Sequence, residues 1–288
     1  MLIKMAYLVP TIFGTVPLNP FDVYYLSVGQ VVFDKPFLSI RWATSKGLAN
    51  KHLIQEAASN GHLEALKYLH EKGVPWDEET CYEAAENGRL PILIYLHEEG
   101  CPWDEETCSY TAYNGHFDCL EYAHEQGCPW DEWTCQLAAS GGHLDCLRYA
   151  HEQGCIWDKW TCDAAARSGH LDCLIYIHEE GCPWEEETCQ AAAYAGHLDC
   201  LIYLHENGCP WDETTCQAAA LNGHLNCLRY AHENGCPWDE LTCYRTARNG
   251  HLDCLVYVIE NGCPIPENIC THVKDPGILQ YLESINIC

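Results

Sequence analysis

The residues best equipped for chemistry in this 288-residue chain are its 22 cysteines and 16 histidines, and their spacing decides what they can do. Thiols and imidazoles together can hold zinc, form a disulfide framework, or act as a nucleophile with its base. No Cys-x-x-Cys pair occurs, so the usual zinc spacing is missing. Instead, 21 of the 22 cysteines fall into three columns. A Thr-Cys column holds 81, 108, 135, 162, 189, 216, 243 and 270. An Asp/Asn-Cys column holds 119, 146, 173, 200, 227 and 254, and a Gly-Cys column holds 101, 128, 155, 182, 209, 236 and 263. Elsewhere the same columns carry Ile54, Ala65, Ile92 and Val74. A position that accepts Ile, Val or Ala in place of Cys is a packing position, which favours buried thiols over disulfides or bound metal. Histidine also forms two columns. One follows glycine (62, 116, 143, 170, 197, 224, 251), is interrupted by Arg89, and is expected to order a turn through side-chain hydrogen bonding. The other precedes glutamate (70, 97, 124, 151, 178, 205, 232), gives way to Ile259, and is expected to pack near a helix C-terminus. An active site is a singular arrangement, whereas these residues are copied along the chain. The reading is therefore non-enzymatic, with no catalytic residue, no metal and no cofactor.

The elements that position these columns follow from a strict period. Tryptophan recurs at 76, 103, 130, 157, 184, 211 and 238, always 27 residues apart, and Ile265 takes the next step. Periodicity without insertions predicts a solenoid. Eight full copies run over residues 50–265, the first divergent at its start, and a truncated ninth fills 266–288 as a C-terminal cap. Residues 1–49 are not repeat-like and are expected to cap the first copy.

Each copy reads as two helices. After Pro75-Trp76, Asp77 is a good N-cap, and Glu78 and Glu79 suit the first turn. Cys81, Ala84 and Ala85 share one face, and Asn87-Gly88 ends this helix of about nine residues. A second helix of about eleven residues starts near Leu90 with a stripe of Ile92, Leu93, Tyr95 and Leu96, and stops at Gly100 before Pro102. Both are too short to stand alone, so stacking must supply their stability. An indole buries up to roughly 250 Å², about 6 kcal/mol gross at most, so the tryptophan column is the expected spine.

Composition narrows the function. The net charge of −27 disfavours nucleic-acid phosphates and anionic membrane surfaces, and is compatible with a protein partner bearing a basic surface. No run of about 18 apolar residues is present to span a membrane. Pro10 interrupts the apolar start and no cleavage site follows, so a signal peptide is not expected. Asn-x-Ser/Thr is also absent. A cytoplasmic location follows as the expectation, and nothing in the sequence sets an oligomeric state.

These motifs resemble ankyrin repeats. Ala84-Ala85-Glu86-Asn87-Gly88 is similar to the family's Ala-Ala-x-x-Gly, and Gly61-His62-Leu63-Glu64-Ala65-Leu66-Lys67-Tyr68-Leu69 to its Gly-His-x-x-Ile/Val-Val-x-Leu-Leu. Gly73-Val74-Pro75-Trp76-Asp77 is similar to Gly-Ala-Asp-Val-Asn. The resemblance departs in length, 27 residues against the family's usual 33. The missing six fall between Asp77 and Thr80, where the family builds its β-hairpin finger, and Glu79-Thr80-Cys81-Tyr82 stands in place of its Thr-Pro-Leu-His. The expected fold is therefore an all-α solenoid of helix-turn-helix repeats without fingers. The Cys-Pro-Trp-Asp-Glu variant resembles short ankyrin-type repeats of large DNA viruses of amoebae and some protists, which would make the location a host cytoplasm. The resemblance implies protein–protein interaction without catalysis.

Residues that differ between copies are those stacking does not dictate. In the first helix they fall at four positions, represented by 79, 82, 83 and 86, which share one face. In ankyrin arrays this helix lines the concave surface. Along the stack this face carries Tyr110, Tyr113, Trp133, Leu137, Trp160, Arg167, Tyr194, Leu221, Leu241, Tyr244, Arg245 and Arg248, and is the expected partner-binding site. Trp133 and Trp160 replace Glu79, Glu106 and Glu187 of the same column. Two further roles stay open. Asn19-Pro20-Phe21 through Arg41-Trp42 weakly resembles an F-box, which would make the chain a ubiquitin-ligase substrate adaptor. An acid-coated stack could also be a structural component of a virus particle.

Overall fold

The 27-residue period translates into helical hairpins laid side by side. The computed structural model describes Thr44, Ser45, Gly47 and residues 49–288, so the capping and F-box readings of the first 49 residues lie almost wholly outside the described residues. Eight helix pairs follow in order: α1 (Lys51–Ser59) with α2 (Leu63–Glu71), α3 (Glu78–Glu86) with α4 (Leu90–Glu98), α5 (Glu105–Tyr113) with α6 (Phe117–Glu125), and α7 (Glu132–Gly141) with α8 (Leu144–Glu152). Then come α9 (Lys159–Ser168) with α10 (Leu171–Glu179), α11 (Glu186–Ala195) with α12 (Leu198–Glu206), α13 (Glu213–Asn222) with α14 (Leu225–Glu233), and α15 (Glu240–Arg248) with α16 (Leu252–Glu260). A four-residue α17 (Ile269–His272) and α18 (Pro276–Ser284) close the array. No strand is present among the described residues, so the fold is an all-α solenoid of paired helices without fingers. No described helix is long and apolar enough to cross a membrane.

Local chemistry sets each helix end. Asp131 and Asp158 accept the Trp133 and Trp160 backbone N–H groups at 3.1 and 3.0 Å, and Asp239 accepts those of Leu241 and Thr242. These side-chain caps satisfy donors that the first helical turn leaves open. At the other end of the hairpin, the Gly100 N–H donates to His97 O and the Cys101 N–H to Leu96 O, with Gly100 at φ 79°. This left-handed closure stops the second helix at nine residues, two short of the sequence estimate, because its bonds fold back over the last turn.

The core is continuous and built from small side chains. Alanine pairs such as Ala84-Ala85 and Ala138-Ala139, leucines such as Leu147, Leu174 and Leu201, and the Thr-Cys and Asp/Asn-Cys thiols from Cys81 to Cys254 form one buried cluster. Successive first helices pack directly on one another, whereas successive second helices touch sparingly. The alanines permit that close approach.

The indoles form a seam along the margin of the core. All seven are partly buried and pack against it, so each contributes less than the full-burial figure. Each also ties neighbouring hairpins. The His-Glu imidazole lies against the following indole with ring centroids 3.6–4.2 Å apart, from His70–Trp76 to His232–Trp238. Its Nδ1 shares a 2.9–3.0 Å hydrogen bond with a tyrosine hydroxyl of the next hairpin, from Tyr95 to Tyr257. The same tyrosine ring stands edge-on to the indole. Packing thus explains this histidine column, and a hydrogen bond to the next repeat adds to it.

The Gly-His column also reaches outward rather than into its own turn. The His251 Nε2 lies 3.0 Å from Leu221 O of the preceding hairpin, and Arg89, the one substitution in the column, donates from Nε to Ser59 O at 3.0 Å. Both side chains serve carbonyls that a helix end leaves open.

Twenty cysteines are free and buried. The Gly-Cys thiols do more than pack: each donates to the carbonyl of the N-cap residue that opens the helix pair it closes, from Cys101 to Asp77 through Cys263 to Asp239, at 3.0–3.3 Å. Cys270 departs from its column. It is only half-buried and forms a disulfide with Cys288, because the truncated last hairpin brings the chain end back over α17.

Candidate interaction face

The variable positions of the first helices project from the tightly packed side of the array. Trp133 and Trp160 are each 52% exposed, Leu241 45%, and Tyr113 and Tyr194 41% each. Arg167 and Arg248 are also exposed, while Tyr110, Leu137, Leu221, Tyr244 and Arg245 are half-buried. Two of the arginines are engaged within the face. The Arg167 guanidinium sits 5.8 Å from the Tyr194 ring centre, and that of Arg248 sits 5.7 Å from Tyr244. Tyr110 meets Tyr82 edge-on at 5.1 Å.

Three of the expected residues converge on one cavity. Tyr110, Leu137 and Trp133 line a space of about 260 Å³ between α5 and α7, together with Ser109, Glu105, Glu106 and Asp131. A cavity of similar size sits at the turns, lined by Gly88, Leu90, Gly115, His116, Phe117, Asp118 and Cys119. Ser109, Glu105, Glu106 and Asp131 were not among the residues expected from the sequence. The available signal was Ser109 itself, a small residue in a column that otherwise holds Gln55, Tyr82, Gln136, Asp163, Gln190, Gln217 and Tyr244 over the eight full copies.

Three side chains of the Ser109 column bridge adjacent hairpins. Gln55 Nε2 donates to Glu79 at 2.9 Å, Thr188 donates to the buried Asp163 at 2.5 Å, and Gln217 Nε2 donates to both Asp239 oxygens at 3.0 Å. Ser109 is too short to bridge and turns its hydroxyl back to Glu105 O at 2.9 Å. Asp131, the counterpart of Asp239, receives no side-chain donor among the described residues. Partial burial pushes its carboxyl above the usual range, the cap bond to Trp133 N–H opposing that rise.

Burial also governs the thiols. It pushes Cys119, Cys200, Cys227 and Cys254 up to about 11, and Cys146 and Cys173 to about 12. A thiol held protonated in this way is a poor nucleophile and metal ligand. Among the described residues no group of three or more His, Cys, Asp or Glu is placed to hold a metal ion.

Stacked helical hairpins of fixed length, with a core copied from unit to unit, define a repeat solenoid. The particular repeat is similar to the ankyrin repeat: the family model "Ankyrin repeats (many copies)" matches residues 54–97 and 189–232, and the units here are 27 residues long. Among solved structures, the crystal structure of the human ASB11 ankyrin repeat domain is similar at 19% identity and a TM-score of 0.47, covering 55% of this chain and 84% of that one. No curated protein sequence matches the chain. Ankyrin repeats generally mediate protein–protein interaction.

Proposed function

We propose that this chain is a non-catalytic scaffold that binds a protein partner on the first-helix side of its array, the inner side of the curve. The observation that carries this reading is the pair Trp133 and Trp160. Two adjacent hairpins expose a tryptophan in a column that holds glutamate in others. Solubility and stacking both favour the acid there, so the aromatic residues serve something outside the chain, and tryptophan is the residue type that most often anchors an interface. Tyr113, Tyr194 and Leu241 extend the exposed apolar row in both directions. The acidic first turns beside it, such as Glu105, Glu106 and Glu132, complement a basic partner surface.

Affinity capture with the wild-type chain, a Trp133→Ala/Trp160→Ala variant and an Arg148→Ala control on the second-helix side tests this reading. The double variant is expected to lose partners that the other two retain. Equal recovery of the same proteins by all three would overturn the assignment.

A further inference from the structure

We propose that the cavity between α5 and α7 receives one arginine side chain from an extended segment of a protein partner. Trp133 offers its ring to the guanidinium plane, and Glu105, Glu106 and Asp131 accept its N–H groups. This rests on the reading of the first-helix side as the docking face and names the chemistry of what docks there.

Three observations carry it. The first is size. About 260 Å³ is below the range of pockets that enclose a whole small molecule, and suits a single long side chain. The second is the lining. Aromatic Tyr110 and Trp133, apolar Leu137 and three carboxylates border one space, and no Lys or Arg lies among them. None of those carboxylates forms an ion pair among the described residues; the inter-hairpin pairs lie elsewhere, Lys51 with Asp77 and Glu79, and Lys159 with Glu185. The third is the small side chain at the floor. Gln217 and Gln55 reach donors across to the next hairpin, whereas Ser109 turns its hydroxyl back to Glu105 O and leaves the space beside Asp131 open. The missing group is a planar, multi-donor cation on an apolar stem. Arginine fits better than lysine because its guanidinium can stack on an indole while its edge donates to carboxylates.

The test uses the full chain in its disulfide-bonded form and three short peptides, acetyl-Gly-Ser-X-Ser-Gly-amide with X as arginine, lysine or citrulline. Binding is followed through the Trp133 indole N–H resonance, assigned with Trp133→Phe. The arginine peptide is expected to shift that resonance at millimolar concentrations, with citrulline producing no shift and lysine binding about tenfold more weakly. Ser109→Gln should abolish the shift. Glutamine already occupies this column at Gln136, Gln190 and Gln217, so the fold tolerates it, and circular dichroism confirms that the helices persist. Glu106→Gln should weaken binding while leaving the cavity open. An equal response to citrulline, an equal response to lysine, no response to arginine, or unchanged binding by Ser109→Gln would each overturn the proposal. Its failure is separable from failure of the docking face. If the arginine peptide does not bind but Trp133→Ala/Trp160→Ala still loses captured partners, the cavity assignment falls and the face stands. If the peptide binds and capture is unaffected, the face falls and the cavity stands.

Discussion

Replacing Gly223 by alanine probes the tie between successive hairpins. Gly223 ends α13 at φ 74°, and a Cβ built there would lie 2.5 Å from His251 Nδ1 and 2.7 Å from Cγ of the same ring. Gly235, at the end of α14, has φ 87° and nothing within 4 Å of its added Cβ. Both substitutions incur the left-handed penalty of about 1–2 kcal/mol. Only Gly223→Ala also evicts the imidazole, because non-bonded heavy atoms settle near 3.5–4 Å. Eviction breaks the His251–Leu221 hydrogen bond, which contributes about 1 kcal/mol, and loosens the packing of the ring. The expected cost is about 2–4 kcal/mol for Gly223→Ala and about 1–2 kcal/mol for Gly235→Ala. Urea denaturation followed by circular dichroism reads both. In a His251→Ala background the Gly223→Ala cost should fall to that of Gly235→Ala, leaving a coupling of about 1–2 kcal/mol. Identical costs of Gly223→Ala in the two backgrounds would refute the assignment of His251 as an inter-repeat tie.

Other outcomes follow from the same geometry. Trp184→Ala removes a ring stacked 3.8 Å from His178 and should cost about 2–4 kcal/mol in urea denaturation, whereas the exposed Trp133→Ala should stay within about 0.5 kcal/mol. Tyr203→Phe, which removes the hydroxyl 2.9 Å from His178 Nδ1, should cost about 1 kcal/mol by the same measurement. The Asp/Asn-Cys thiols are held protonated in the folded chain, so their stabilisation is complete below the unfolded thiol range. It should be lost as pH rises from about 9 toward 11–12, because the unfolded chain ionises first. A pH series of urea midpoints checks this, and Cys173→Ala, with Ala65 already in that column, should flatten the alkaline decline. Reducing the Cys270–Cys288 bond should speed amide exchange in α18 while exchange in α7 to α12 stays unchanged.

The hairpin architecture was legible because each of its determinants is local and repeated. Aspartate before the first helix, alanine pairs within it and glycine at both stops appear in copy after copy, and local signals of this kind need no knowledge of neighbours. The partners of the indole column were not legible for the opposite reason. Its partners are a histidine six residues back and a tyrosine nineteen residues ahead, and spacing alone gave ring size without saying how much of the ring neighbours would cover. Cys270 likewise looked like its column, yet its surroundings differ because no further repeat stacks beyond it. At the face, Tyr110, Trp133 and Leu137 were identifiable as variable positions. Their convergence on one cavity was not, since it depends on how α5 and α7 sit against each other around the small Ser109.

Each tie described here spans roughly one unit: 24 residues for thiol to carbonyl, 25 for imidazole to phenol, and 30 for His251 to Leu221. The molecule therefore has low contact order despite its length, and its assembly requires only short loop closures, which favours rapid growth from any hairpin that forms first. Pulled from the ends of the array, the described repeats have no distant clasp to distribute the load, and they should yield in a sawtooth of near-equal steps, one hairpin per tooth.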